Sequence, residues 1–357
     1  MKSKCLLFSC VLSIFLTGPV QADTVISNKD FSPENSLHFD FDDFTVGTAE
    51  YQDGATGCTV FHFPKGAQAA IDIRGGSVGT FFTQEKMQYG EAHIDAITLT
   101  GGGILGLEAT AGVVSALYQK NLRDARFNKM PLVSGGVIFD FTPRPHSRIF
   151  PDKPLGQAAL DAAKSNQFPI GAHGVGTSAT FGKFFWDSYI PSGQGGAFSQ
   201  IGKTKIAVFT VVNALGFIIN AEGQVVRTTK KHQSVNHLQK EVHDKLLNNN
   251  TVGINDQPKL ESGNTTLTVV VINEKLSARH LQQIGRQVHH ALSQVIYPYS
   301  TILDGDVLYT VSTRTQDSGY EHMGSNIQTD LDPNIVHLGV VASDLAKKAV
   351  WSIIEDK

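Results

Sequence analysis

The run TTLTVVVI at residues 265–272 is apolar or β-branched at every position, and it follows the polar stretch ESGN without transition. Such a run is a strand of core quality, so any fold this chain adopts has to bury it from its first residue. Other strand-like runs are Thr59 to Phe63, Ala69 to Ile73 (punctuated by Gly75-Gly76), Ala96 to Leu99, Val137 to Phe141, Lys205 to Val212 and Val307 to Ser312. Phe217 to Asn220 and Gln224 to Arg227 flank Ala221-Glu222-Gly223 and predict a hairpin. Helical readings fall on Leu105 to Leu117 after the Gly101-Gly102-Gly103 turn, on Leu155 to Lys164 and on Asn334 to Ile354. In Ser277 to Ile296, the residues Leu281, Ile284, Val288, Leu292 and Val295 recur at helical spacing and predict one buried face. Strands alternate with long helices that each need a sheet to cover, which makes a layered α/β sandwich the economical architecture.

The first 22 residues stand outside that fold. Lys2 and Lys4 precede an apolar run from Cys5 to Leu16, and Val20-Gln21-Ala22 supplies the small residues of a signal-peptidase site. A membrane anchor needs about 18 apolar residues, and this run breaks at Thr17-Gly18-Pro19. Cleavage after Ala22 and export, to a periplasm or beyond, are therefore expected. Cys5 and Cys10 leave with this signal peptide, so of 3 cysteines the mature chain keeps Cys58 and forms no internal disulfide. Alternation in GCTVFHF reads Cys58 as a buried strand residue. From Asp23 to Glu50 polar and aromatic residues mix without clear period, as in an arm lying over the surface. Residues 228–263 are polar, with Lys230-Lys231 and Asn248-Asn249-Asn250, and read as a flexible linker with a short helical piece near Leu238 to Leu247.

With 357 residues, 41% of them hydrophobic, the chain can bury a large core. A net charge of -3 gives no electrostatic reason to expect nucleic acid, and a small neutral or mildly charged ligand is expected instead. No membrane partner is expected once the signal is removed. No metal or organic cofactor is expected either: His289-His290 and His232 with His237 lack ligand spacing and Cys or carboxylate support.

Two adjacent threonines at a strand start are ordinary, but a break of the Asn264–Thr265 bond would give Thr265 both a hydroxyl and a free α-amine. That is a nucleophile with its own base. An α-amine of pKa about 7.7–8.0 can take the hydroxyl proton near neutral pH without any His. Asp304-Gly305-Asp306 places two carboxylates near one turn, either for local backbone hydrogen bonds or for chemistry, with too few oxygens for a calcium loop. Asn213, at a strand end, can turn its amide toward a developing oxyanion. The Gly101-Gly102-Gly103 turn has the shape of an anion cradle but lacks a nucleotide-binding spacing, so close helix–strand packing is the preferred reading.

In order along the chain, VFHFPKGAQAAIDIRGGSVGT, DAITLTGGGILGLEATAGV, GVGTSATFGK, FTVVNALG, GNTTLTVVV and ILDGDVLYTVST resemble the L-aminopeptidase/D-esterase (DmpA-like) family of autoprocessing hydrolases, from about Phe41 to Glu355. Within it the resemblance is to the branch of the 6-aminohexanoate-oligomer hydrolases, which has Thr as nucleophile and shares GNTT and DGD. The resemblance implies a four-layer αββα sandwich made as one precursor and cut into an α fragment, residues 23–264, and a β fragment, residues 265–357. The fragments stay associated and form oligomers of α/β pairs. Thr265 is then the nucleophile, Asp304 and Asp306 orient its amine and hydroxyl, Asn213 lends its amide to the oxyanion site, and Lys183 lies near the nucleophile. Where the family has a Tyr beside the oxyanion site, this chain has Phe139. A missing donor is worth roughly 2.7–4 kcal/mol, so another group substitutes or turnover is slow.

The expected reaction is amide hydrolysis within linear oligomers or peptides: Thr265 attacks, its amine shuttles the proton, and water releases the acyl group. An aminopeptidase, D-esterase or β-aminopeptidase is the alternative. It needs a carboxylate for the substrate's ammonium, for which Glu108 and Asp140 are candidates, although Glu108 reads equally as a structural carboxylate. Acyl transfer to an amine, as in ornithine acetyltransferases, and an inactive binding homologue are further alternatives.

Overall fold

The strand predicted at residue 265 needs cover on both faces, and the fold supplies it. The structure, a computed structural model, describes residues 26–27, 35–82, 87, 92–184, 189–227, 234–247, 263–317 and 333–355. The predicted signal peptide and most of the linker lie outside these residues. The main elements are β1 (Thr45–Tyr51), β2 (Thr56–Ile73), β3 (Ala92–Thr100), α1 (Leu107–Lys120), β4 (Val133–Val137), α2 (Lys153–Asp161), β5 (Gln194–Ile201), β6 (Thr204–Asn213), α3 (Val235–Leu247), β7 (Thr265–Glu274), α4 (Ala278–Val295), β8 (Val307–Gln316) and α5 (Pro333–Trp351).

Strand order in the main sheet is β5-β6-β7-β8-β2-β3-β4, with β1 paired to β2. β7 runs antiparallel to β6, with Thr265 opposite Asn213, and parallel to β8, with Leu267 opposite Val307. The long strand β2 belongs to two layers. Its first half pairs with β1 and its second half with β8, and the register against β3 shifts between His62 and Ala67. Such an irregularity bends a strand, which lets one sheet face itself.

Side chains confirm four layers. Leu267, Val269 and Val271 join Phe61, Ile97, Phe209 and Tyr309 in a core between the two halves of the sheet. Val270 and Ile272 point the other way, onto Ile284, Val288 and Leu292 of α4 and Leu338 and Ala342 of α5. On the far side α1 and α2 pack Val113 and Leu155 against Val60, Ala96 and Val133. All 10 residues of β7 are buried. The αββα sandwich is thus the architecture that gives β7 two apolar neighbours. Ser277 caps α4 by accepting from the His280 N–H, and the five predicted residues of its apolar face are all buried.

Several sequence readings are corrected. Thr59 to Phe63 and Ala69 to Ile73 form one strand, not two. Residues 35–50 are no surface arm, while most of the predicted arm before them lies outside the described residues: Thr45–Tyr51 is a strand, and Phe39, Phe41 and Phe44 are buried against one another and Phe209. The strand predicted from Val137 to Phe141 instead spans Val133–Val137. Its Gly135 is required by packing, since a Cβ there would lie 2.6 Å from Thr110 Oγ1 of α1. Helix α1 starts at Leu107 after a 3-10 turn, Gly103–Gly106, and α2 starts at Lys153 because the Asp152 carboxylate caps the Leu155 N–H. The predicted hairpin forms in short form, through the Ile219–Val225 bridge and the bonds of the Asn220 N–H to the Gln224 carbonyl and of the Val226 N–H to the Ile218 carbonyl, while Phe217–Ile218 also pairs with Ile296–Tyr297.

Candidate active site

The β6–β7 register sets Asn213 beside Thr265, and the turn before β8 brings Asp304 to Asn264 through a parallel bridge. Thr265 is 4% exposed and Lys183 2%. The Thr265 hydroxyl donates to the Asn264 carbonyl at 2.5 Å, and the Gly305 N–H donates to the same oxygen at 2.7 Å.

Asn213 is held by both ends of its amide. Its Oδ1 accepts from the Thr180 N–H at 3.0 Å and from Lys183 Nζ at 3.2 Å. Its Nδ2 donates to the carbonyls of Phe139, at 3.0 Å, and Gly263, at 3.2 Å. Lys183 Nζ also donates to the Gly263 carbonyl at 3.3 Å. Burial lowers the Lys183 pKa to about 7 against the opposing pull of Asp304.

The two aspartates do not bond Thr265 in the uncut chain. Asp304 accepts from the Leu215 N–H and from the Thr301 N–H and hydroxyl, and Asp306 from the Thr266 and Ser300 N–H groups. Burial, then the charge of Asp304, raises Asp306 to about 7. The turn is clamped from outside by residues 74–77, whose N–H groups bind the carbonyls of Asp306, Thr301 and Asp304. A Cβ on Gly75 would lie 2.2 Å from the Asp304 carbonyl oxygen, so only Gly allows this approach.

Phe139 meets the site through its backbone carbonyl and through its ring, which packs on Gly263 and lies 5.3 Å from the Phe141 ring. The two candidate ammonium anchors are elsewhere. Asp140 is fully buried and bonded to Arg144 Nη2 at 2.5 Å, the Thr56 hydroxyl and the Gly102 N–H, which closes it to a ligand. Glu108 is exposed in the first turn of α1, and its charge acts on Tyr51. The Gly101-Gly102-Gly103 turn is filled by that Asp140 network, as close packing requires. Cys58 is fully buried, which pushes its thiol far up, and His289 is buried against Asp72 at 2.6 Å.

The supporting shell was beyond sequence reasoning. Ser300 and Thr301 lie in no motif, and although Thr180, Leu215 and Gly305 lie within motifs, nothing there marks the Thr180, Leu215 or Gly305 N–H as a donor to the site. Gly75-Gly76 also left a signal, read as mere punctuation between strands.

The site and fold have counterparts. Residues 36–354 match the family described as Peptidase family S58. The chain is 37% identical over 320 residues to a 6-aminohexanoate-oligomer endohydrolase of Paenarthrobacter ureafaciens, covering 88% of this chain and 84% of that one. It is 28% identical over 311 residues to an uncharacterised aminopeptidase of Mycobacterium leprae (strain TN), covering 83% and 81%. Among solved structures, a Burkholderia β-aminopeptidase superposes with a TM-score of 0.60 at 15% identity, over 93% of this chain and 89% of that one. The L-aminopeptidase D-Ala-esterase/amidase of Ochrobactrum anthropi, described as a variant of the Ntn hydrolase fold, gives 0.60 at 14% identity, over 91% and 87%. With a family match over nearly the whole described chain and a relative above one-third identity, this chain belongs to peptidase family S58 and is a hydrolase of amide bonds.

Proposed function

We propose that this protein cuts itself between Asn264 and Thr265 and then hydrolyses amide bonds within linear oligomers or peptides through a Thr265 acyl-enzyme. The observation that carries this reading is the Thr265 hydroxyl, buried at the first position of a central strand and 2.5 Å from the carbonyl oxygen of its own preceding peptide. The cut creates an α-amine on the same residue, which serves as base without a His. Departure of the new chain end at Asn264 frees Asn213 Nδ2 and Lys183 Nζ, both now on the Gly263 carbonyl, for the carbonyl of a substrate. Water then releases the acyl group. The 37% identity to an oligomer endohydrolase supports cleavage within oligomers. The signal-like residues 1–22 support export, and the ladders on both sides of β7 support α and β fragments that remain together.

Denaturing electrophoresis with N-terminal sequencing tests the cut. A fragment of 357 − 264 = 93 residues beginning TTLTVV is expected, and Thr265→Ala should leave the chain whole. Efficient cutting of that variant sinks the mechanism. A second reading, release of single N-terminal residues, is favoured by the likeness to mycobacterial aminopeptidases. A free-amine substrate and its N-acetylated twin separate the two: if only the free amine is cut, the aminopeptidase reading holds.

A further inference from the structure

The donors usually sought for an oxyanion are not aimed at the bond that has to break first. Asn213 Nδ2 and Lys183 Nζ both point at the Gly263 carbonyl, one residue upstream of the scissile peptide. The scissile carbonyl, that of Asn264, has a different partner from the body of the protein: the Gly305 backbone N–H at 2.7 Å. That N–H is fixed in place before any reaction. The carboxylates on either side of it are tied to Leu215, Thr301, Thr266 and Ser300, and residues 74–77 bind the carbonyls of Asp304 and Asp306 from outside. Residue 305 has no room for a side chain, because a Cβ would lie 2.7 Å from Thr265 Oγ1 and 2.8 Å from the Ser77 carbonyl oxygen. A donor held at the carbonyl oxygen by a rigid turn is what electrostatic preorganisation requires.

We propose that the protein uses two oxyanion sites in sequence: the Gly305 N–H for cutting its own chain, and the Asn213 amide with Lys183, masked by the Gly263 carbonyl until the cut, for substrate. The inference rests on the self-cleavage reading above. In the first reaction Thr265 Oγ bonds to the Asn264 carbonyl carbon and the C=O electron pair moves onto oxygen, where Gly305 N–H stabilises it. Collapse breaks the bond from that carbon to Thr265 N, which takes up the hydroxyl proton and becomes the free amine. Water adds to the resulting ester, the bond to Oγ breaks, and Asn264 leaves as a carboxylate while the Thr265 hydroxyl is restored. The Gly263 carbonyl then no longer fills the second site. Masking also explains why two strong donors face a carbonyl that takes no part in the cut.

The test removes one N–H without touching a side chain. Glycolic acid, placed at position 305 by nonsense suppression, converts the Asp304–Gly305 amide into an ester. Cutting of the full chain should slow by roughly 10²–10³-fold, as for loss of one oxyanion donor. Asn213→Ala should show the opposite balance, with turnover of a chromogenic amide by the cut enzyme lowered by roughly 10²–10³-fold and cutting slowed by less than tenfold. An ester variant that cuts at the wild-type rate overturns the proposal, as does equal damage to cutting and turnover by Asn213→Ala. A readout independent of the ester is hydrogen exchange on Thr265→Ala labelled with 15N-glycine. The Gly305 amide should be protected in that uncut chain, and rapid exchange there also overturns the assignment. If the wild-type chain itself never cuts, the self-cleavage reading fails instead, and that result is visible before any variant is made.

Discussion

If the Asn213 amide serves a substrate oxyanion as proposed, a hydroxyl at Phe139 would add to it, and the Phe139 ring packs on Gly263 next to the Asn264–Thr265 bond. Phe139→Tyr adds a donor next to those of Asn213 and should raise the acylation rate by up to about 10²-fold, read from the burst phase with a chromogenic anilide. It should not alter where the chain cuts. A variant no faster means that the pocket is built around the Phe ring. Asp306 makes a second prediction. An acid whose folded pKa, about 7, lies above its ordinary value of 3.8 holds more protons folded than unfolded between those limits. Its contribution to stability is therefore full below pH 3.8 and lost as pH rises through about 7. Denaturant unfolding of the uncut Thr265→Ala protein should show stability falling across that window, and Asp306→Asn in the same background should flatten the slope. An unchanged slope would place the titration elsewhere.

Among the elements, the segment after β4 departs most from its sequence reading, and it sits nearest the site. Val137 to Phe141 reads as a strand, yet the chain leaves the sheet after Val137 because the buried Asp140 carboxylate gathers Arg144, Thr56 and the Gly102 N–H. That departure turns the Phe139 carbonyl toward Asn213. The Arg144 side chain is 8% exposed, so Arg144→Met leaves a buried charge without its ion partner and should destabilise the uncut protein by about 3–5 kcal/mol in denaturant unfolding. A loss below about 1 kcal/mol, the level of a surface pair, would mean that solvent reaches Asp140. Helix α4 is the opposite case. Its apolar face was readable because a 3.6-residue period is a local property, whereas the turn of Asp140 depends on partners up to 84 residues away.

For the whole molecule, the consequence of cutting at residue 265 follows from the place of β7 between β6 and β8. A cut there would leave both ladders intact, along with the apolar faces that β7 turns to the central core and to α4 and α5. The two fragments should therefore co-elute on size exclusion in buffer and separate only in denaturant. A β fragment eluting alone without denaturant would contradict this. The same placement explains why a chain break is tolerable here, since backbone pairing and burial in a sheet do not need continuity at the strand's first residue.

The sequence by itself determined which segments are apolar and at what period, and so the existence of β7, α4 and α5 and the layering of helices on sheet. It also marked the abrupt boundary at Asn264–Thr265, because composition and period are carried by neighbouring residues. Tertiary structure alone decided that Asn213 and Lys183 turn to Gly263 while the Gly305 N–H takes the Asn264 carbonyl. It also decided that Asp140 is closed by Arg144 while Glu108 stays in solvent. Hydrogen bonds of that kind are set by angstrom-scale positions of groups distant in the chain, and those positions exist only after the sheet has closed on its core.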